Sequence, residues 1–178
     1  MSVFVLRLGH RKFRDKRVST HCGLVARAFG ADKIFYSGEK DDKLLESIKK
    51  VSMRWGGGFE VEYVRNWRKL IKEFRGVRVH LTMYGLELDE AVSEVREKAV
   101  GKDVLVVIGG EKVPGEVYGL VDFNLSVGNQ PHSEIAALAL FLDRLFEGRE
   151  FKKVFEGGRI KVKPSARGKV IIRKEERE

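Results

Sequence analysis

The chain has 178 residues, 43% of them hydrophobic, with three prolines, one cysteine and a formal net charge of +9. That length supports one well-buried domain with a small appendage and is short for two. The single Cys22 excludes an intramolecular disulfide, no apolar stretch approaches the roughly 20 residues that span a bilayer, and the positive excess points to a polyanionic partner. Charged residues make up 34% of the chain with both signs interspersed, a mixture compatible with a heat-loving source.

The first apolar run, residues 3–8, is short and lacks a positively charged lead. It reads as a strand rather than a signal peptide, so a cytoplasmic, reduced protein is expected. Immediately after it, Arg11, Lys12, Arg14, Lys16 and Arg17 put five cations into eight residues. A basic loop at a strand's carboxyl end suits nucleic-acid phosphates, with a solvated loop as the plainer alternative. Thr20 is positioned to cap a helix carrying Leu24, Val25, Ala28 and Phe29, ended by Gly30. Further strands are predicted near 33–36, 59–64, 77–81, 104–108 and 122–127.

Helical patterns fall between them. Asp41-Asp42 opens an amphipathic run with Leu44, Leu45, Ile48, Val51 and Trp55 at helical spacing, stopped by Gly56, Gly57 and Gly58. Residues 67–74 and 88–98 read as two more helices, and a long apolar helix follows from Ile135 to near Gly148. This alternation predicts an α/β fold: a mainly parallel sheet with helices on both faces. The pattern then changes, because 159–163 alternates, 164–168 turns and 169–173 forms a second short strand. We therefore divide the chain into a domain over 1–150 and a basic extension with a β-hairpin over 151–178, the hairpin packing on the domain or on another subunit.

Two glycine turns suggest where a ligand sits. The run 103–108 ends in Gly109-Gly110, and the next strand ends in Gly128, followed by Asn129, Gln130, Pro131, His132 and Ser133 before the last long helix. Ligands of open α/β sheets bind at such carboxyl ends, and Pro131 suits the first turn of the helix that follows. An ordinary strand-loop-helix connection has the same appearance. The first glycine turn is neither a dinucleotide fingerprint nor a Walker loop. His10, His21, His80 and His132 lack metal-site spacing, so no metal is expected, and Cys22 reads as packing.

Together these residues carry a resemblance. The order Gly109-Gly-Glu-Lys-Val-Pro114, then Leu125-Ser-Val-Gly-Asn-Gln-Pro-His-Ser-Glu-Ile-Ala-Ala137, is similar to the last two motifs of the SPOUT class of RNA methyltransferases. Leu6-Arg-Leu-Gly-His10, Arg14-Asp-Lys-Arg17 and Leu24-Val-Ala-Arg-Ala-Phe-Gly-Ala31 narrow it, over nearly the whole chain, to the archaeal tRNA ribose 2′-O-methyltransferases that act on cytidine 56 of the TΨC loop. The resemblance implies a deep trefoil knot in the carboxyl-terminal half, S-adenosylmethionine bound in the knot, tRNA as substrate and an obligate homodimer. It also implies cofactor contacts from Leu81 and Thr82, from Gly109, Gly110, Glu111, Lys112 and Val113, and from Val127, Gly128, Asn129, Gln130, Pro131, His132, Ser133 and Glu134.

The chain departs from the class pattern at two places, one of them the third motif, where Gln130-Pro-His-Ser-Glu134 replaces the commoner Ser/Asn-rich version. At the other, Leu24 occupies the position aligned with the arginine that orients the nucleotide in related ribose methyltransferases, while Arg14 and Arg17 lie upstream. Arg17 is then the first candidate for that role and Arg14 the second, with His21 as proton acceptor. The competing roles are phosphate binding for Arg17, an ion pair with Asp15 for Arg14 and a structural hydrogen bond for His21. A non-catalytic RNA-binding protein of the same fold, or a methyltransferase acting on a base, are the alternatives to ribose methylation.

Overall fold

The computed structural model describes residues 1–110 and 112–173. The apolar runs pair into one parallel sheet of β1 (Val3–His10), β2 (Lys33–Gly38), β3 (Glu60–Tyr63), β4 (Gly76–Glu87), β5 (Asp103–Gly109) and β6 (Phe123–Ser126), in the order β3-β2-β1-β5-β4-β6. Between and after them lie α1 (Lys16–Ala28), α2 (Asp42–Trp55), α3 (Trp67–Glu73), α4 (Leu88–Lys98) and α5 (Glu134–Phe146). Among the described residues no helix is long and apolar enough to cross a membrane.

Strand alternation sorts the side chains into two layers. Val3, Val5, Val104, Val106 and Ile108 join the larger core, together with residues of α1, α2, α4 and α5. Leu6, Leu8, Leu105 and Val107 join a smaller core with Ile71 of α3 and Val117 of the 3-10 turn Gly115–Gly119. Helices thus cover both faces, as the alternating pattern predicts.

Two local expectations fail. Thr20 is not a cap: α1 begins at Lys16, and the Thr20 hydroxyl donates to the Lys16 carbonyl one turn back. Asp15 precedes the helix, but its carboxylate is spent on Arg11, which starts the helix earlier than cap rules suggest. Pro131 is not in the first turn of α5 either. Ser133 is the cap, its Oγ accepting from the Ile135 N–H at 3.2 Å, so Pro131 lies two residues outside. β4 runs past the predicted 77–81 because Leu86 and Glu87 pair again with Leu125 and Ser126 after a register shift.

The carboxyl-terminal segment forms an antiparallel hairpin of β7 (Ile160–Lys163) and β8 (Val170–Arg173). Its base is held on the turns after α1 and α2. The Gly57 N–H donates to the Glu156 carbonyl at 2.8 Å, the Arg159 N–H donates to the Arg54 carbonyl at 2.9 Å, and Lys153 Nζ donates to the Gly30 carbonyl at 2.9 Å. Gly56, at φ +80°, is required there: a Cβ would stand 2.3 Å from the Glu156 carbonyl oxygen.

Candidate active site

Parallel pairing brings the carboxyl ends of β1, β5, β4 and β6 side by side, with Leu8 opposite Gly109, Val107 opposite His80 and Leu81 opposite Leu125. The ends of β4 and β5 and the loops that leave β4, β5 and β6 line a cavity of about 670 Å³. Leu81 and Thr82 contribute from the first loop, Gly109, Gly110, Lys112 and Val113 from the second, and Pro131, His132 and Glu134 from the third. The size and mixed polarity suit a small organic ligand.

The other expected contacts lie elsewhere. Val127, Gly128 and Asn129 face a second cavity of about 280 Å³ with Glu87, Leu140 and Arg144. Gln130 is exposed, and Ser133 is used as the helix cap. Glu111 falls outside the described residues. The glycine at 109 has a steric cause, since a Cβ there would come 2.4 Å from Val113 Cγ2 and force the second loop open. Asn129 ties the third loop to the first, its Nδ2 donating to the Met83 carbonyl at 2.7 Å.

Sequence reasoning missed the residue that joins the cavity to the basic loop. Arg7 shares a face of β1 with Val3 and Val5 and is 1% exposed. Its Nη2 donates to Glu134 Oε1 at 3.1 Å and lies 3.9 Å from Asp15 Oδ2. Asp15 in turn accepts from the Nε and Nη2 of Arg11 at 2.9 and 3.1 Å, which holds its carboxyl below the usual carboxylate range. A guanidinium in a strand covered on both faces must find carboxylates, and that lone charge within an apolar run was the signal available. Beside it, burial pushes the Cys22 thiol up to about 12, so it is a packing group and no nucleophile.

The basic loop is anchored and its cations face outward. His10 is 1% exposed and spans the loop's base, with Nδ1 2.7 Å from Ser19 Oγ and Nε2 3.4 Å from Asp41 Oδ2. Burial lowers its pKa, which keeps the ring neutral near pH 7. Arg14, Arg17 and His21 are exposed. Arg17 and His21 are four apart on α1, so they stand one above the other on the same helix face.

A polar cluster forms the opposite wall. His80 Nδ1 lies 2.9 Å from Asn124 Oδ1, Asn124 Nδ2 donates to the Tyr118 carbonyl at 3.1 Å, and the Tyr118 hydroxyl is 2.9 Å from Thr82 Oγ1. The Tyr118 ring stands edge-on to His80, centroids 5.0 Å apart. Thr82 was anticipated; His80, Asn124 and Tyr118 were not.

Comparison with known proteins decides what this arrangement belongs to. A family model described as tRNA ribose 2′-O-methyltransferase, aTrm56, matches residues 55–172. The chain belongs to that family. Over 178 residues it is 57% identical to the tRNA (cytidine(56)-2′-O)-methyltransferase of Methanocaldococcus jannaschii, covering 99% of each chain. Over 171 residues it is 57% identical to the protein of the same name from Pyrococcus horikoshii, covering 96% of this chain and 84% of that one. Among solved structures it is similar to the A. aeolicus TrmH/SpoU tRNA modifying enzyme, with a TM-score of 0.58 at 19% identity over 85% of this chain and 77% of that one. It is also similar to the SpoU methyltransferase AviRb of Streptomyces viridochromogenes in complex with AdoMet, with a TM-score of 0.51 at 14% identity over 83% of this chain and 60% of that one. The fold is thus of the SPOUT type.

Proposed function

We propose that this chain transfers a methyl group from S-adenosylmethionine to the ribose 2′-hydroxyl of cytidine 56 in tRNA. The observation that carries the reading is the convergence of three loops on one cavity beside a basic loop, in a chain of this family. Gly109, Gly110 and Val113 expose backbone to an adenine or ribose, and Leu81, Thr82 and Glu134 close the sides. When bound, S-adenosylmethionine supplies a methyl group on a sulfonium, a good leaving group. The protein's tasks are to align the ribose oxygen with that methyl and to accept one proton.

Arg17 orients the nucleotide through its phosphate, Arg14 adds a second phosphate contact, and His21 accepts the 2′-hydroxyl proton. Support for the group comes from position: α1 starts directly after Asp15, a buried carboxylate that lies 3.9 Å from Arg7, which bonds to Glu134 in the cavity wall. Val127 and Gly128 lead to Asn129, which supports the donor site from outside the cavity by holding Met83 beside Thr82. Gln130 completes that third loop.

Residues 1–150 act as the methyltransferase domain and 151–178 as a basic extension that adds tRNA contacts through Lys161, Lys163, Arg167 and Lys169. We place the trefoil knot in the carboxyl-terminal half, a reading supported by the return of α5 from the edge strand β6 toward Arg7 of β1. Tyr84, Leu86 and Leu140, which are 77%, 69% and 44% exposed, leave apolar surface suited to a second copy of the chain, so the working form is a homodimer. A cytoplasmic location goes with a tRNA substrate.

The test is methyl transfer from labelled S-adenosylmethionine to an unmodified tRNA transcript, followed by nuclease digestion and identification of the labelled nucleoside. 2′-O-methylcytidine is the expected product. A base-methylated nucleoside, or bound cofactor without transfer to any transcript, would overturn the reading in favour of base methylation or of RNA binding alone.

A further inference from the structure

Among the described residues of the cavity wall, His80 alone has a buried side-chain nitrogen or oxygen with no hydrogen-bond partner. The residue is 1% exposed, and the atom is Nε2. Its chemistry is fixed by its neighbours. Asn124 Nδ2 donates to the Tyr118 carbonyl, so the amide orientation is set and Oδ1 is the atom facing the imidazole. An amide oxygen only accepts, so His80 Nδ1, 2.9 Å away, carries the proton. In the neutral ring Nε2 is then a bare lone pair. Burial also lowers the His80 pKa and so favours that neutral form.

A buried acceptor left without a donor is costly, and such groups in folded proteins ordinarily find partners. Here the protein has built the tautomer that presents an acceptor and then supplied no donor for it among the described residues. Thr82 and Tyr118 bond to each other across the same wall, and neither hydroxyl is a partner of Nε2. His80 lines the cavity, so a group filling it is a source of the missing donor.

We propose that His80 Nε2 accepts a hydrogen bond from an N–H or O–H group of the methyl donor, which makes His80 a cofactor-binding residue. The inference rests on the reading of the cavity as the S-adenosylmethionine site. It separates His80 from a purely structural histidine, because the structural contact is made by Nδ1 and the ligand contact by Nε2.

Two substitutions divide those atoms. In His80→Asn the side-chain amide reaches the Nδ1 position and keeps the Asn124 contact, but no acceptor remains at Nε2. In His80→Gln the amide oxygen reaches the Nε2 position and the Asn124 contact is given up. Calorimetric titration with S-adenosylmethionine, alongside thermal melting, reads the difference. His80→Asn is expected to bind about tenfold more weakly or worse, and His80→Gln within about threefold of the unaltered protein, the scale of one buried hydrogen bond. An Asn variant that binds normally, or a Gln variant that is the weaker binder, overturns the inference and leaves His80 structural.

A measurement on the unaltered protein covers the case in which either variant fails to fold. The Nε2 nitrogen resonance of His80 should move upfield on saturation with S-adenosylmethionine, with the proton still on Nδ1, and an unmoved resonance overturns the inference. Unaltered protein that binds no S-adenosylmethionine overturns the functional reading itself. Binding with an indifferent His80 overturns only the present assignment.

Discussion

Arg7 and Arg17 lie ten positions apart and do opposite things. Arg7 is buried and bonds through Nη2 to Glu134, with Asp15 3.9 Å away, while Arg17 is exposed in the first turn of α1. The contrast extends to the regions around them. The carboxyl edge of β4, β5 and β6 is a fixed cavity shaped by glycine and by side-chain bonds between loops, whereas the loop after β1 is pinned from behind by His10 and Asp15 and presents its cations outward. A small ligand needs a preformed, desolvated wall. A polyanion needs accessible positive charge, whose attraction is strong without close packing.

The comparison breaks most visibly at its joint. Arg7→Ala leaves Glu134 without its hydrogen-bonded partner and opens a hole in a buried strand position, and is expected to cost about 3–5 kcal/mol of stability, read by chemical denaturation. Arg7→Met together with Glu134→Gln removes both charges of one pair and should recover part of that loss; an equal loss in both proteins would show that the pairing is not what matters. Gly109→Val crowds Val113 and is expected to cost about 1–3 kcal/mol of donor affinity by titration, with tRNA binding unchanged. If tRNA binding falls equally, the two regions are not separate.

Acid sharpens the comparison more gently. Burial holds both His10 and His80 below the ordinary histidine value of 6.5. The unfolded chain therefore takes up protons that the folded chain resists, so stability is full above about pH 6.5 and declines as pH falls below it. Asp15, held low by Arg11, adds a further loss only below its ordinary value of 3.8. Melting temperature followed across pH 7 to 5 should fall in the unaltered protein and fall less in His80→Gln. An equal slope would show that His80 takes no part.

Much of this edge was legible in the sequence because its signals are local. Apolar runs of strand length ended by Gly109 and Gly128 marked the sheet's carboxyl edge, and the cations from Arg11 to Arg17 were plain by count. What escaped were pairings over distance. Glu134 and Arg7 are 127 positions apart, and His80 meets Asn124 across 44, so neither could be seen as a partner before the strand order was known. The capping errors at Thr20 and Pro131 have the same origin. Local rules favour those residues at helix starts, but Asp15 and Ser133 already hold the chain there through bonds to Arg11 and Ile135.

The proposed division between a donor cavity and a ribose-orienting loop is tested most directly by Arg17→Ala, with S-adenosylmethionine binding and single-turnover methyl transfer to tRNA measured on the same preparation. Donor affinity should be unchanged while transfer falls on the order of a hundredfold or more, the scale of lost alignment at a reacting centre. Transfer at the unaltered rate would contradict the account and remove Arg17 from the mechanism.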